Sequence, residues 1–221
     1  MIPERIAQFL ERFPRVRDLV AEQRAADAQA DAAWAGKEQE WKAAADAAKA
    51  EGKPAPRPLR REDAPAYRYQ APTFQVAREE LRDVCRWLRD NPEFDMAALE
   101  FVSAVDWPDR FEIVYALSSV ARHHGVTLKV AVPKDDAHVP SVVEVWVGAD
   151  WHEREAYDLF GLTFDGHPDL RRILMSEDWK GHPLRKDYVY EDPQWLVDVA
   201  VQRQREIAAT QDGGDGRGPR R

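Results

Sequence analysis

Three histidines, His152, His167 and His182, recur fifteen residues apart within the stretch Asp150–Asp187. Around them stand nine carboxylates, four arginines, two lysines and five large aromatics. Such a set raises metal-dependent hydrolysis first. Metal ligation, however, favours pairs such as H-x-x-x-H or C-x-x-C on a helix or hairpin, and the chain has neither. Two of the histidines lie instead in near-copies, Gly166-His167-Pro168-Asp169-Leu170-Arg171-Arg172 and Gly181-His182-Pro183-Leu184-Arg185-Lys186-Asp187. Glycine admits unusual dihedrals, proline stiffens the backbone, and imidazole donates to nearby carbonyls, so these read as turns.

Glu153, Glu155 and Asp158 have the chemistry of acid–base catalysts. A simpler reading is local: Asp150 caps a helix with Glu153 three positions on as a capping box, and Arg154 and Asp158 form an i, i+4 pair. No Ser or Cys nucleophile sits in a strained elbow, and no phosphate-binding glycine loop is present. Arg171, Arg172, Arg185 and Lys186 form a basic cluster interleaved with Trp179, Leu184 and Tyr188. Guanidinium forks grip carboxylates, and this mixture has the composition of a protein–protein hot spot. Asp165, Asp169, Glu177, Asp178 and Asp187 dilute the charge too far for nucleic acid.

The elements that position these residues give an α+β fold, an antiparallel sheet with helices packed on it. Leu81, Val84, Cys85 and Leu88 fall at i, i+3, i+4 and i+7, one face of a helix over Gln75–Arg89 that stops at Asn91-Pro92. Leu99–Val105 and Phe111–Leu117, joined by Asp106-Trp107-Pro108-Asp109, make a hairpin. Val126, Leu128, Val130 and Val132 alternate as a third strand. Pro140-Ser141 opens a short helix to about Trp146, the capped helix follows, and Gly161 closes it in a left-handed conformation. Beyond Leu162 the chain is extended, and Gln194–Thr210 returns to helix.

At the other end, Ile6, Phe9, Leu10 and Phe13 sit at helical spacing. Fourteen of the thirty residues Ala21–Ala50 are alanine, a solvated helix with Trp34 and Trp41 as its contact positions and Glu38–Lys42 as an ion pair. Gly52 and Pro54, Pro56 and Pro58 end it in a linker. The chain thus divides into an N-terminal helical extension with its Pro-rich linker (1–65), an α+β core domain ending in the capped motif helix (66–161), an extended interface segment (162–193), and a C-terminal helix with a disordered tail (194–221).

Composition narrows the function classes. A net charge of −8 over 221 residues opposes a general nucleic-acid binder. The single cysteine, Cys85, leaves no disulfide and no four-thiolate cluster within this chain. Charges recur every few residues at the start, unlike a signal peptide. No stretch approaches the ~18 consecutive apolar residues of a membrane span.

Glu153-Arg154-Glu155-Ala156-Tyr157-Asp158-Leu159-Phe160-Gly161, then His167-Pro168-Asp169-Leu170-Arg171-Arg172-Ile173-Leu174, then Gly181-His182-Pro183-Leu184-Arg185-Lys186-Asp187 resemble the motif of the respiratory complex I 30-kDa subunit family, a component of bacterial NADH-quinone oxidoreductase. The resemblance covers roughly Phe74–Tyr188 and includes Asp106 and Arg110-Phe111-Glu112. It implies a non-catalytic structural subunit of the peripheral arm, held at the cytoplasmic side of the inner membrane through the complex alone. It implies no cofactor in this chain, with FMN and iron–sulfur clusters in partner subunits. The implied partners are the 49-kDa-type subunit and iron–sulfur subunits. An interface role carries over to Glu153, Arg154, Asp158, His167, Arg171, Arg172, His182, Arg185, Lys186 and Asp187, with Phe160, Gly161, Pro168 and Pro183 shaping the backbone. Two features depart from the family pattern: the alanine-rich segment, and Val189 where a proline often stands. The rival expectations are the equivalent subunit of a membrane-bound hydrogenase or ferredoxin-linked complex, and a stand-alone metal-dependent hydrolase using His152, His167 and His182.

Overall fold

Alternating apolar residues in three neighbouring strands build the centre of the protein. The computed structural model describes residues 3–51, 54, 56–58, 71–190 and 194–212. β3 (Ala98–Asp106), β4 (Arg110–Ser119) and β5 (His124–Pro133) form an antiparallel meander. Phe111, Ile113, Tyr115 and Leu117 of β4 point inward with Val126, Leu128, Val130 and Val132 of β5. Two short strands extend it: β1 (Arg17–Asp18) and β2 (Thr73–Gln75), giving the order β1-β2-β5-β4-β3. β2 runs parallel to β5, so the sheet is mixed rather than wholly antiparallel. Three residues are too few to declare a period.

Helices cover the apolar side. α1 (Pro3–Arg12) buries Phe9 completely among Phe74, Trp87 and Phe94, with ring centroids 5.0, 5.7 and 6.0 Å away. This first helix, grouped by sequence with the extension, therefore contributes to the core. α2 (Leu19–Ala50) starts where the Asp18 carboxylate accepts from the N–H groups of Val20 and Ala21, and none of its residues is buried. The Trp41 indole donates to the Arg57 carbonyl at 2.8 Å, and Lys42 pairs with Glu38 at 2.8 Å. α3 (Leu81–Asp90), preceded by a single 3-10 turn, buries Leu81, Val84, Cys85 and Leu88 as its spacing predicts.

β6 (His138–Pro140) pairs in parallel with β7 (Thr163–Asp165), and α4 (Ala149–Phe160) lies between them in the chain. The short helix expected after Pro140 is not formed. Val145 and Trp146 both donate to the Val142 carbonyl in a pair of turns, and the Trp146 indole anchors them on the Met96 carbonyl at 3.1 Å. From Leu162 to Tyr190 the chain holds β7 and turns, and no helix. α5 spans Gln194–Asp212. The expected boundary near 65, the stop at Gly52 and the tail from 213 lie outside the described residues.

Candidate functional site

The density of charged residues in the motif has a structural use, and α4 is its axis. Ala149, Glu153 and Ala156 share the helix's inward face, so Glu153 is carried fully inside. There its carboxylate accepts from the Ser141 hydroxyl at 2.6 Å and the Val142 N–H at 2.7 Å. Burial pushes its pKa up to about 7, against the pull of those hydrogen bonds and of the Arg82 charge. The capping box is thus corrected: Gly148 precedes the first turn, no side chain caps it, and Asp150 stands within the helix. A helix starting at Ala149 turns Glu153 toward the core instead of back toward its own N-terminus.

The expected Arg154–Asp158 pair is also absent. Arg154 is nearly buried, donates from Nε to the Arg171 carbonyl at 3.2 Å and lies over the Trp151 ring. Asp158, fully buried, takes Arg172 on Oδ1 at 2.7 Å. Its Oδ2 accepts the backbone N–H groups of Ile173, Leu174 and Met175 at 3.0, 2.7 and 2.9 Å. Burial alone raises a carboxyl's pKa; here those three amides and the guanidinium outweigh it and hold Asp158 below the usual carboxylate range. One side chain thereby folds the Arg171–Met175 turn against α4.

The two Gly-His-Pro turns grip opposite ends of this helix. Gly166 and Gly181 both adopt positive φ, 84° and 78°. The His167 Nδ1 accepts from the Asp169 N–H at 3.0 Å, so its proton sits on Nε2, which donates to the Asp150 carbonyl at 3.3 Å. The His182 Nδ1 is 2.9 Å from the Asp158 carbonyl, which can only accept, so this ring carries its proton on Nδ1. Burial lowers the His182 pKa in spite of that bond, favouring the neutral ring. His167 serves one end of the helix and His182 the other, so these histidines do not converge. Among the described residues no three His, Cys, Asp or Glu side chains are placed to hold a metal ion.

A helix leaves its last four carbonyls without intrahelical donors. In α4 each of them is met. Tyr157 receives the Gly161 N–H, Asp158 receives His182, Leu159 receives the Leu184 N–H at 3.1 Å, and Phe160 receives Arg185 Nε at 2.6 Å. Gly161 makes this possible at φ 71°, because a Cβ there would lie 2.5 Å from His182 Nε2 and 2.7 Å from an Arg185 nitrogen. The Arg185 cation also suits the negative end of the helix dipole.

The residues named from sequence therefore divide. Glu153, Arg154, Asp158, His167, Arg172 and His182 are engaged within the chain, Phe160 packs against the core, and Pro183 is half-buried. Pro168, Arg171, Lys186 and Asp187 face outward, with Arg171 paired to Asp169 at 2.9 Å. Arg185 is half-buried and serves both helix end and surface. Sequence reasoning placed Asp106 in the hairpin turn and within the resemblance, without a partner. Nearly buried at the hairpin turn, it accepts the Lys186 N–H at 2.8 Å and pairs with Lys134 at 2.6 Å. Arg82, which donates to the carbonyls of Ser141 and Asp165, and Arg89, which donates to Val145, were missed. The only signal for them was an arginine on the polar side of an otherwise apolar helix face.

The family model for the respiratory-chain NADH dehydrogenase 30 Kd subunit matches residues 74–194, over half of the chain. The chain belongs to this family. An NADH-quinone oxidoreductase subunit of Saccharopolyspora erythraea is 51% identical over 120 residues, covering 52% of this chain and 48% of that protein. Its counterpart in Roseiflexus castenholzii is 52% identical over 118 residues, 52% of this chain and 68% of that protein. The chain thus spans about half to two thirds of the length of these curated relatives. A solved chain of the membrane-bound sulfane sulfur reductase, an archaeal respiratory membrane complex, superposes with a TM-score of 0.54 at 22% identity, covering 90% of both chains. At that identity the likeness concerns the fold. No helix among the described residues is long and apolar enough to cross a membrane.

Proposed function

We propose that this chain is a non-catalytic structural subunit in the peripheral arm of a proton-translocating NADH:quinone oxidoreductase. The observation that carries the reading is where the family's motif puts its chemistry. Glu153, Asp158, His167, His182 and Arg172 have partners inside the chain, holding α4 and the turns after it in one geometry. Groups engaged in this way serve shape, and Arg171, Lys186 and Asp187 remain outside to meet another chain.

In this reading FMN and iron–sulfur clusters belong to partner subunits, and this chain holds none. Its neighbours are the 49-kDa-type subunit and iron–sulfur subunits. It sits on the cytoplasmic side of the inner membrane and touches the bilayer only through the complex. Electrons pass from NADH through the partners' centres to quinone while this chain keeps its neighbours in register.

Affinity purification of the chain from gently solubilised membranes, with mass spectrometry of the proteins that accompany it, tests this. The expected result is recovery with flavin, iron–sulfur and 49-kDa-type subunits and with inhibitor-sensitive NADH:quinone activity. Recovery with hydrogenase or ferredoxin-linked subunits would move the chain to a sister complex, and recovery alone would remove the subunit reading.

A further inference from the structure

We infer that the tip of the β3–β4 hairpin and the Gly181–Asp187 turn together form a docking surface for an acidic segment of a partner subunit. The inference rests on the subunit reading above and adds where, and to what chemistry, this chain binds.

The two parts are far apart in sequence and are stitched by Asp106, which accepts the Lys186 N–H at 2.8 Å. This brings four cations onto two aromatic rings. Arg110 and Lys186 lie 5.7 and 5.9 Å from the centroid of Trp107, whose surface is 40% exposed. Lys134 and Arg185 lie 5.5 and 5.2 Å from the centroid of Phe111.

Counter-charge is short. Asp106 is buried and pairs with Lys134, and Asp109 pairs with Arg110 at 2.9 Å. Asp187 is exposed beside them, yet among the described residues neither Arg185 nor Lys186 has a carboxylate within ion-pair distance. A local excess of positive charge thus stands on a chain whose net charge is −8. The indole face holds Lys186 by cation–π attraction beside the Arg110–Asp109 pair. An approaching carboxylate supplies the ion-pair partner that Lys186 lacks and finds its donor already ordered, which lowers the entropic cost of binding. Tryptophan and arginine are also the residues in which binding energy concentrates at protein interfaces. An acidic peptide segment fits this small patch better than a polyanion, which the remaining surface of an acidic chain repels.

The test uses the full chain in its own membranes, with p-benzoylphenylalanine incorporated at position 107. After irradiation and gentle purification, the crosslinked peptide is sequenced. The expected product joins position 107 to a co-purifying subunit at a peptide carrying two or more Asp or Glu. A crosslink to lipid, a crosslink to a peptide without carboxylates, or no crosslink while the chain still co-purifies with its complex overturns the docking surface alone. A wild-type chain recovered by itself overturns the subunit reading, and this inference with it. In parallel, Arg110→Gln with Lys186→Gln keeps the melting temperature of the chain and lowers its recovery in the complex by about thirtyfold or more, the size expected of even one hot-spot position. Unchanged recovery of that variant also overturns the proposal.

Discussion

Arg172 and Asp158, fourteen residues apart, meet at 2.7 Å across the closing turn of α4 with the carboxylate wholly inside the protein. Asp158 also orders three successive backbone N–H groups, so it has more to lose than its partner. Asp158→Ala is expected to destabilise the chain by about 3–5 kcal/mol, as for a broken buried ion pair. Arg172→Ala should cost less, because the three amides still satisfy the carboxylate. The folded pKa of Asp158 is depressed, so its contribution is present above the ordinary carboxyl value and is lost as the pH falls through the folded one. Chemical denaturation of the two variants checks the order; equal losses would mean the amides contribute little.

Glu153 behaves in the opposite sense. Its folded pKa, about 7, lies above the ordinary 4.5, so the folded chain binds this proton more tightly than the unfolded one. Its effect is most favourable below the ordinary value and declines as the pH climbs to about 7, by on the order of 3 kcal/mol. Glu153→Gln keeps an acceptor for the Val142 N–H and abolishes that decline. Urea unfolding of wild type and variant, at about pH 5 and about pH 8, should show the variant gaining relative stability at the higher pH. A constant difference between them would contradict the assignment.

Two glycines give a contrast that needs only thermal melts and circular dichroism. Gly161→Ala forces a Cβ onto His182 and Arg185 at positive φ and should cost about 1–3 kcal/mol or more. Gly36→Ala, in the open middle of α2 with nothing near its Cβ, should raise helicity and add about 0.5–1 kcal/mol to that helix. If both changes are neutral, the tight approach at Gly161 does not exist in solution.

The arginines of the basic cluster should separate. Arg171, with its side chain 71% exposed, bears only a surface pair with Asp169, so Arg171→Ala should change stability by at most about 1 kcal/mol. Arg185→Ala removes the donor to the Phe160 carbonyl and should cost about 1–3 kcal/mol by leaving that helix end unsatisfied. Melting temperatures of the isolated chain decide it, and a larger effect at Arg171 would reverse the inward and outward assignment.

Much of this architecture was legible because burial leaves a period. The quartet Leu81, Val84, Cys85 and Leu88, the alternation in β4 and β5, and the left-handed Gly161 all follow from local geometry. β2 left no such mark, since its parallel pairing with β5 rests on three residues. At the site, residue types were visible and their directions were not. Asp150 and Glu153 have the spacing of a capping box, and Arg154 and Asp158 that of a helical pair. Both patterns are local, and tertiary partners at Ser141, Val142 and Arg172 overrode them. Charge does not encode burial: of two adjacent arginines, Arg171 faces out and Arg172 faces in.

The grip on both ends of α4 makes the helix a gauge. One Gly-His-Pro turn holds Asp150 and the other holds Asp158, two turns further along, about 12 Å of rise. Inserting a single residue between them would rotate the far end by about 100° and push Asp158 out of the nest it fills. The span between the two clasps therefore has a set length, and an insertion within it is expected to cost more than the same insertion beyond them.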